Sequence, residues 1–204
     1  MEFGEIQEII DGLGLSEEIP PNEIPELELY MDQVLEFLNA RLDWLKREEL
    51  DKGLTKMMIN NYTKAQLLIP PKNRKYGKHH IMLLILICQL KSILSIEDIK
   101  TLFSPILNDI TTPDDDVIPL AKIYTIFLDL QREQFSDFQE IFAEKAKYIE
   151  NKLAEIETPH QKKAKMFLVV LMLVAQAGAS KRLAEKIIDA YFPKPGQTTK
   201  TGSI

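Results

Sequence analysis

The sequence predicts an all-α protein with at most one small hairpin. Apolar residues recur at helical spacing through most of the 204-residue chain, and no stretch shows the apolar–polar alternation of a half-buried strand. Hydrophobic residues make up 45% of the chain and charged residues 27%, as in an ordinary globular protein. The length suffices for one large domain or two small ones, each with its own core.

The first half of the chain predicts a lead-in and then a long amphipathic helix. Residues 1–26 end in a proline-rich stretch that interrupts any helix, so they are predicted to be an N-terminal lead-in. From residue 27 to about residue 49 an apolar residue returns every three or four positions, and basic residues near the end suit the helix dipole. The residues of this stripe are Leu27, Met31, Val34, Leu38, Leu42 and Leu45.

A short helix is predicted next, from Lys56 to about Gln66. Gly53 interrupts the chain, and the Thr55 hydroxyl can accept a hydrogen bond from the first turn as an N-cap. The prolines at the end of residues 67–71 stop the helix, and residues 72–76 can form a small hairpin or wing. The expected inner stripe of the helix is Met58, Ile59, Tyr62 and Ala65.

The remaining helices follow from the same spacing. Residues 77–93 predict an apolar helix, and Ser95 with Asp98 resembles a capping box that opens a helix to about Phe103. The polar, acidic run 108–116 predicts a boundary, so residues 27–107 are expected to form a first domain. Residues 117–192 are expected to be a helical dimerisation or effector region, and residues 193–204 a flexible tail. The helices expected in this region are 117–131, 135–157, 161–178 and 181–191.

The charge distribution indicates a polyanion as partner. Between Asp51 and Glu97 the chain has no acidic residue and eight basic ones. The whole chain carries −6, so a stretch at +8 leaves −14 for the remainder. Such asymmetry is typical of a face that binds nucleic acid, whereas an accidental solvated patch is the alternative.

Catalytic, metal and membrane functions find little support in the sequence. The phosphate-binding, nucleophile-elbow and zinc-protease motifs are absent, so no enzyme, cofactor or metal site is predicted. His79 and His80 begin an apolar helix beside basic residues, where their donors are expected to face phosphate. The uncharged run 166–180 is shorter than the ~20 residues of a membrane span. It and Ile81–Leu90 are therefore expected to be buried inside a cytoplasmic protein that has no membrane partner.

The short helix offers a plausible way to read a DNA duplex. One apolar face can dock on the domain while the other enters a major groove, where asparagine can pair with adenine and lysine with guanine or phosphate. The basic residues after the helix would grip the flanking backbone. The residues expected to bind DNA are Thr55, Lys56, Met57, Asn60, Asn61, Lys64, Lys72, Arg74, Lys75 and Lys78.

Residues 53–71 resemble the DNA-reading part of the MerR-type regulators. That family's pattern is close to Gly-Val-Ser-x-x-Thr-Leu-Arg-Tyr-Tyr-Glu-x-x-Gly-Leu-Leu-x-Pro. Residues 74–76 are similar to its Arg-Tyr-Tyr at the end of the wing, and residues 94–99 to its Phe-Ser-Leu-Glu-Glu-Ile. The resemblance implies a winged helix-turn-helix over roughly residues 53–103. The matched positions are Gly53, Thr55, Ile59, Tyr62, Leu67, Leu68 and Pro70.

This chain also departs from the MerR pattern. Asn60 and Asn61 replace an Arg-Tyr pair that normally helps to hold DNA, the wing is shorter, and no match extends beyond Leu102. Over residues 20–105 the chain looks more like an uncharacterised bacterial family, a domain of unknown function. The segments that carry this second resemblance are Leu29–Val34, Met58–Tyr62 and Lys75–Ile81.

The sequence therefore predicts a transcriptional regulator that binds double-stranded DNA. A homodimer is expected because one short helix reads too few base pairs to be selective in a genome. One alternative is a protein-interaction module that has kept the helix-turn-helix shape but no longer binds DNA. Another is a sensor whose effector pocket lies between Gly77–Ile93 and Met166–Ala179.

Overall fold

The computed structural model describes residues 3–48, 51–107 and 118–192. Within these ranges the chain is mostly helical, with one sheet of two short strands, which confirms the predicted all-α class. The predicted boundary at 108–116 and the predicted tail lie outside the described residues. The elements are α1 (Phe3–Gly12), β1 (Leu29–Tyr30), α2 (Met31–Arg41), α3 (Lys56–Lys64), β2 (Lys75–Tyr76), α4 (Lys78–Leu90), α5 (Ile96–Leu107), α6 (Leu120–Ala154) and α7 (Gln161–Tyr191).

The described residues form two compact units. The major unit contains residues 18–127 and 183–192, and the minor unit contains residues 3–17 and 128–182. The major unit therefore holds β1 to α5, whereas the minor unit holds α1 and most of α6 and α7. All of the residues expected to bind DNA belong to the major unit.

Helix α4 is the core of the major unit. Every side chain from His80 to Cys88 is buried, so the helix keeps no solvent-facing side over this stretch. Helix α2 and strand β2 contact it, and α2 also contacts α3 and both strands. The prediction that Ile81–Leu90 lies inside the protein is confirmed for Ile81 to Cys88, while the last two residues are half-buried.

The predicted long helix over residues 27–49 is wrong in its extent. Residues 29–30 form β1, which pairs antiparallel with β2 in the register Leu29 to Tyr76, so α2 begins only at Met31. The Tyr30 N–H donates to the Gln33 side chain at 2.9 Å, which caps this start. Helix α2 ends at Arg41, and a 3₁₀ turn follows over Asp43–Leu45. Helical spacing could not reveal that strand pairing at one end competes with the helix.

A side-chain bridge joins α2 to the start of α3. The Asn39 Nδ2 donates to the Leu54 carbonyl at 3.0 Å, and the Leu54 N–H donates to Asn39 Oδ1 at 2.8 Å. Gly53 has φ of +58°, and a Cβ at this position would lie 2.5 Å from Asn39 Oδ1. A side chain at residue 53 would therefore both strain the backbone and push the bridge apart.

Helix α3 is capped at both ends. The Met58 N–H donates to the Thr55 hydroxyl at 3.2 Å, which confirms the predicted N-cap. At the other end Gln66 has φ of +60°, and the Leu67 N–H returns to the Tyr62 carbonyl at 2.9 Å. This is a Schellman-type ending with glutamine in the position where glycine is usual. From the predicted inner stripe Ile59 and Tyr62 are buried, while Met58 and Ala65 are half-buried.

The predicted hairpin is confirmed. The Lys75 N–H donates to the Lys72 carbonyl at 2.9 Å, and the two residues between them have φ of +51° and +62°. Positive φ at both central residues is the geometry of a type I′ turn, whose twist suits a two-residue hairpin. Asn73 tolerates this conformation well, whereas Arg74 is held there by the pairing on either side.

Helix α5 confirms the predicted capping box and runs past its predicted end. The Asp98 N–H donates to Ser95 Oγ at 3.1 Å, and the Ser95 N–H donates to Asp98 Oδ2 at 3.2 Å. Pro105 lies inside the helix and has no N–H to give to the carbonyl one turn earlier. The Ser104 hydroxyl donates to that carbonyl, on Thr101, at 2.8 Å. This replacement lets the helix continue to Leu107.

The minor unit has a small core of its own. Ile6 and Ile10 of α1 pack with side chains of α6 and α7, and the buried Lys165 pairs with Glu150. Helices α6 and α7 are each continuous, so the predicted breaks near residues 132–134 and 179–180 are wrong. No proline lies at either place, and the residues around them, Gly178 included, keep the helical backbone. The remaining buried members of this core are Phe142, Ala146, Ile149, Leu153 and Val169.

The prediction that residues 166–180 are buried is wrong. Helix α7 has a mean hydropathy of 1.5 over its most apolar 18-residue window, but only 6% of that window is buried. By length and composition alone this helix is apolar enough to cross a membrane. A stretch without charges can be buried, but it is buried only where another surface covers it. The lack of charge alone therefore does not predict burial.

Removal of the Asn39 side chain tests the bridge between α2 and α3. Asn39→Ala leaves the N–H and carbonyl of buried Leu54 without these partners, so we expect a loss of about 2 kcal/mol in the free energy of unfolding. Urea denaturation followed by circular dichroism measures it. Glu36→Ala, on an exposed position of the same helix, is the matched control. Equal midpoints for the two variants would contradict the proposed role of the bridge.

Candidate nucleic-acid interface

The outer face of α3 presents five of the ten residues expected to bind DNA. All five are exposed, and the helix carries no acidic side chain. Thr55 is half-buried because its hydroxyl caps the helix, so it acts as a structural residue at the edge of this face. The exposed residues are Lys56, Met57, Asn60, Asn61 and Lys64.

The hairpin and the start of α4 present the other four expected residues. Lys72 and Arg74 are exposed, and no ion pair or hydrogen bond of their side chains occurs within the described residues. The Lys75 Nζ lies 5.5 Å from the ring centre of Tyr30, in a cation–π contact. Lys78 pairs with Glu26 and is half-buried.

The sequence before α3 supplies acidic partners that the charge count did not anticipate. Lys56 Nζ lies 2.5 Å from Asp32 Oδ1, in a pair whose two side chains are both largely exposed. Tyr30 and Asp32 both lie at the start of α2, so the structure brings Lys75 and Lys56 to the N-terminal end of this helix. Exposed ion pairs contribute between zero and about 1 kcal/mol to stability, so Lys56 can exchange the Asp32 carboxylate for a phosphate.

The acid-free segment does not form one continuous basic surface. Lys91 follows the C-terminal end of α4, whereas Lys78 begins the helix, and 13 helical residues span roughly 20 Å. Lys91 and Lys52 line a pocket that also contains Asp51 and none of the residues expected to bind DNA. We therefore define the basic face as the five exposed residues of α3 together with Lys72, Arg74, Lys75 and Lys78.

His80 does not face phosphate, contrary to the expectation from the sequence. It is 4% exposed, and its Nδ1 accepts the Gly77 N–H at 3.1 Å, which caps the start of α4. Burial, with the neighbouring His79, lowers the pKa of His80 to about 4. The Ile69 and Pro70 carbonyls oppose this shift in pKa, although within the described chain Nε2 completes no hydrogen bond. His80 is therefore a neutral structural group at neutral pH.

Cys88 is buried, and burial raises the pKa of its thiol. Among the residues in the described ranges, no group of three or more His, Cys, Asp or Glu side chains could hold a metal ion.

An apolar pocket of about 330 Å³ lies within the major unit, away from the basic face residues. It is formed by α4, α5, the start of α6 and the end of α7. The sequence instead predicts an effector pocket between Gly77–Ile93 and Met166–Ala179. These two segments belong to different units, so that expectation stays a prediction. The pocket lining includes Leu86, Leu90, Leu102, Phe103, Phe127 and Phe192.

Comparison with known families identifies the major unit. The family described as "Domain of unknown function (DUF1836)" matches residues 19–127, just over half of the chain. The chain belongs to this family. The match begins one residue after the start of the major unit and ends at residue 127, so it coincides with the first segment of this unit and leaves out residues 183–192. No curated protein and no solved structure matches the sequence.

The residues that sequence reasoning missed are those that position the basic face. Asn39 bonds to Leu54, 15 positions away, and Tyr30 contacts Lys75, 45 positions away. Glu26 pairs with Lys78, 52 positions away. Helical spacing reports only neighbours one turn away, so it carried no signal for these contacts. A signal did exist for Gln66, because the MerR pattern has glycine at the corresponding position.

The neutral state of His80 predicts a loss of stability in mild acid. Unfolding restores an ordinary pKa near 6.5 to His80. Below that pH the unfolded chain binds a proton at His80, whereas the native chain binds it only when the pH falls to about 4. Between pH 7 and pH 5 this should cost about 2 kcal/mol of unfolding free energy. His80→Gln keeps an acceptor for the Gly77 N–H and removes the titration. Urea melts at both pH values should show a smaller loss in this variant; equal losses would rule out His80 as the cause.

Proposed function

We propose that the chain is a sequence-specific DNA-binding transcriptional regulator, in which α3 reads the major groove. The supporting observation is the basic face: a helix whose exposed surface carries asparagine and lysine and no acidic residue, followed along the chain by a basic hairpin. Asn60 and Asn61 can each offer an amide to an adenine edge, while lysine and arginine bind guanine or phosphate. The hairpin and Lys78 contact the flanking backbone and set the register of the protein on the duplex.

A MerR-like winged helix-turn-helix is the proposed form of this domain. Two backbone positions support it, since Gly53 and Gln66 both have left-handed φ values and both align with glycines of the MerR pattern. The order of α2, α3, hairpin, α4 and α5 also suits a winged arrangement. One feature departs from it: residues 42–55 separate α2 from α3, whereas a helix-turn-helix usually has a turn of three or four residues.

The second candidate is a domain that docks an acidic protein surface through the same basic face. The ion pairs of Lys56 with Asp32 and of Lys78 with Glu26 favour it, because these cations already pair with carboxylates, the groups that an acidic protein surface offers. Only the first candidate predicts a preference for duplex sequence. The two proposals therefore separate in a binding experiment with DNA fragments of different sequence.

Salt dependence is the first test of DNA binding. If the six cations of the basic face each neutralise one phosphate, the slope of log affinity against log salt is about −5 per protomer. Raising the salt from 50 to 200 mM should then weaken binding about a thousandfold. Fluorescence anisotropy with labelled genomic fragments measures this change. Lys91→Ala, which removes a lysine outside the basic face, should leave the slope unchanged. Absence of binding at the lower salt would refute the proposal.

A pair of variants separates base reading from backbone contact. Asn60→Ala should cost about 1–3 kcal/mol on the preferred sequence and little on unrelated DNA, because it removes a base contact. Lys72→Ala should weaken binding to all sequences alike and reduce the salt slope by about one. Competition binding against preferred and random duplexes distinguishes them. If both variants lose the same affinity on every sequence, α3 does not read bases.

A further inference from the structure

Helix α7 carries an apolar stripe that nothing in the described part of the minor unit covers. Four large apolar side chains are exposed to between 50% and 65% of their surface. They follow one another at intervals of three, one and three residues, which places them on one face of the helix. The members of this α7 stripe are Phe167, Val170, Leu171 and Val174.

The stripe lies on the side of α7 opposite to its packed side. Val169 and Lys165 face the core of the minor unit, and Gln176 accepts a hydrogen bond from Lys145 of α6 at 3.3 Å. At 100° per residue, Phe167 and Val174 lie roughly 150° from Val169 around the helix axis. The stripe is therefore a second contact surface, and the core of the minor unit cannot use it.

A lipid bilayer is a poor match for this surface. The uncharged run 166–180 is 15 residues long, so as a helix it spans roughly 22 Å, less than the ~30 Å of a hydrocarbon core. The packed side of the same helix holds the Lys165–Glu150 ion pair and a bond from α6, which is rich in charged residues. Insertion of α7 would carry these groups into lipid or tear them from their partners.

The extent of the stripe suits a protein interface of standard size. Its four side chains expose on the order of 400 Å² of apolar surface, whereas a standard interface buries about 800 Å² per partner, a little over half of it apolar. Gly178 lies on the same face, and a Cβ there would meet no atom within 4 Å. This leaves a shallow depression beside Val174 that an apolar side chain can enter.

We propose that a second copy of this chain covers the α7 stripe, so that α7 packs against its counterpart across a two-fold axis. A two-fold interface needs one self-complementary patch, and the stripe supplies both apolar side chains and a depression to receive them. The inference goes beyond the proposed function and does not depend on it, because the stripe lies outside the domain that carries the basic face. Two copies would, however, supply two reading helices for one operator.

The mass of the full chain in solution tests this proposal without any DNA. Sedimentation equilibrium between 10 and 100 µM should give twice the chain mass of 23.5 kDa. Leu171→Lys and Val174→Lys place a charge on exposed positions, so we expect folded chains whose dimer dissociates at least tenfold more readily. Asn151→Lys adds the same charge at an exposed position of α6 and should remain dimeric. Circular dichroism confirms that each variant is folded.

Cross-linking identifies the surface and the partner together. In a Cys88→Ala background, four variants each carry one cysteine in place of Phe167, Val170, Leu171 or Val174, and each variant is oxidised. Residues near a two-fold axis lie close to the same residues of the second copy, so they can form a disulfide with them. At least one should form a disulfide-linked dimer rapidly, whereas Asn151→Cys should not. A monomer at 100 µM would overturn the proposal, as would a dimer that both lysine variants leave intact. Flotation of the protein with phosphatidylcholine vesicles would overturn it in favour of lipid.

Discussion

Helix α4 has no solvent-facing side between His80 and Cys88, and the rest of the major unit depends on this constraint. A helix that is apolar all round must be enclosed on every side, so α2 and β2 are drawn against it. The polar backbone at its start must still be satisfied, and buried His80 does so by accepting the Gly77 N–H. The start of α4 thereby fixes the position of the preceding hairpin. The hairpin in turn fixes the positions of Lys72 and Arg74.

The basic face is positioned by local backbone devices as much as by packing. The Asn39 bridge holds Leu54 on α2, so α3 begins at a defined place, and the Gln66 ending turns the chain sharply into buried Leu67 and Leu68. Between these two points the chain has little freedom, which leaves α3 with one face in the core and one in solvent. A rigid, exposed helix of this kind suits recognition of a regular duplex surface.

Electrostatics and family membership both separate the two units. The DUF1836 match and the major unit share almost the same limits, and all residues of the basic face lie within them. The minor unit lies wholly outside this match, and it carries the α7 stripe instead. The proposed DNA contact therefore lies in the unit that the family matches, and the proposed contact with a second copy lies in the other unit. The ion pairs of Lys56 and Lys78 show that some of the positive charge is already balanced within the first unit.

The sequence by itself determined the helical class, the caps at Thr55 and Ser95, the hairpin at residues 72–76 and the buried character of Ile81 to Cys88. These features depend on neighbours within about one turn, and periodicity and capping residues report such neighbours directly. Only the tertiary structure decided that α2 begins at Met31 and that His80 is buried, where it cannot face phosphate. It also decided that Lys52 and Lys91 lie outside the basic face and that residues 166–180 are largely exposed. Each of these depends on which distant segment meets a given side chain, such as β2 beside β1 or α6 beside one face of α7, and no local pattern carries that information.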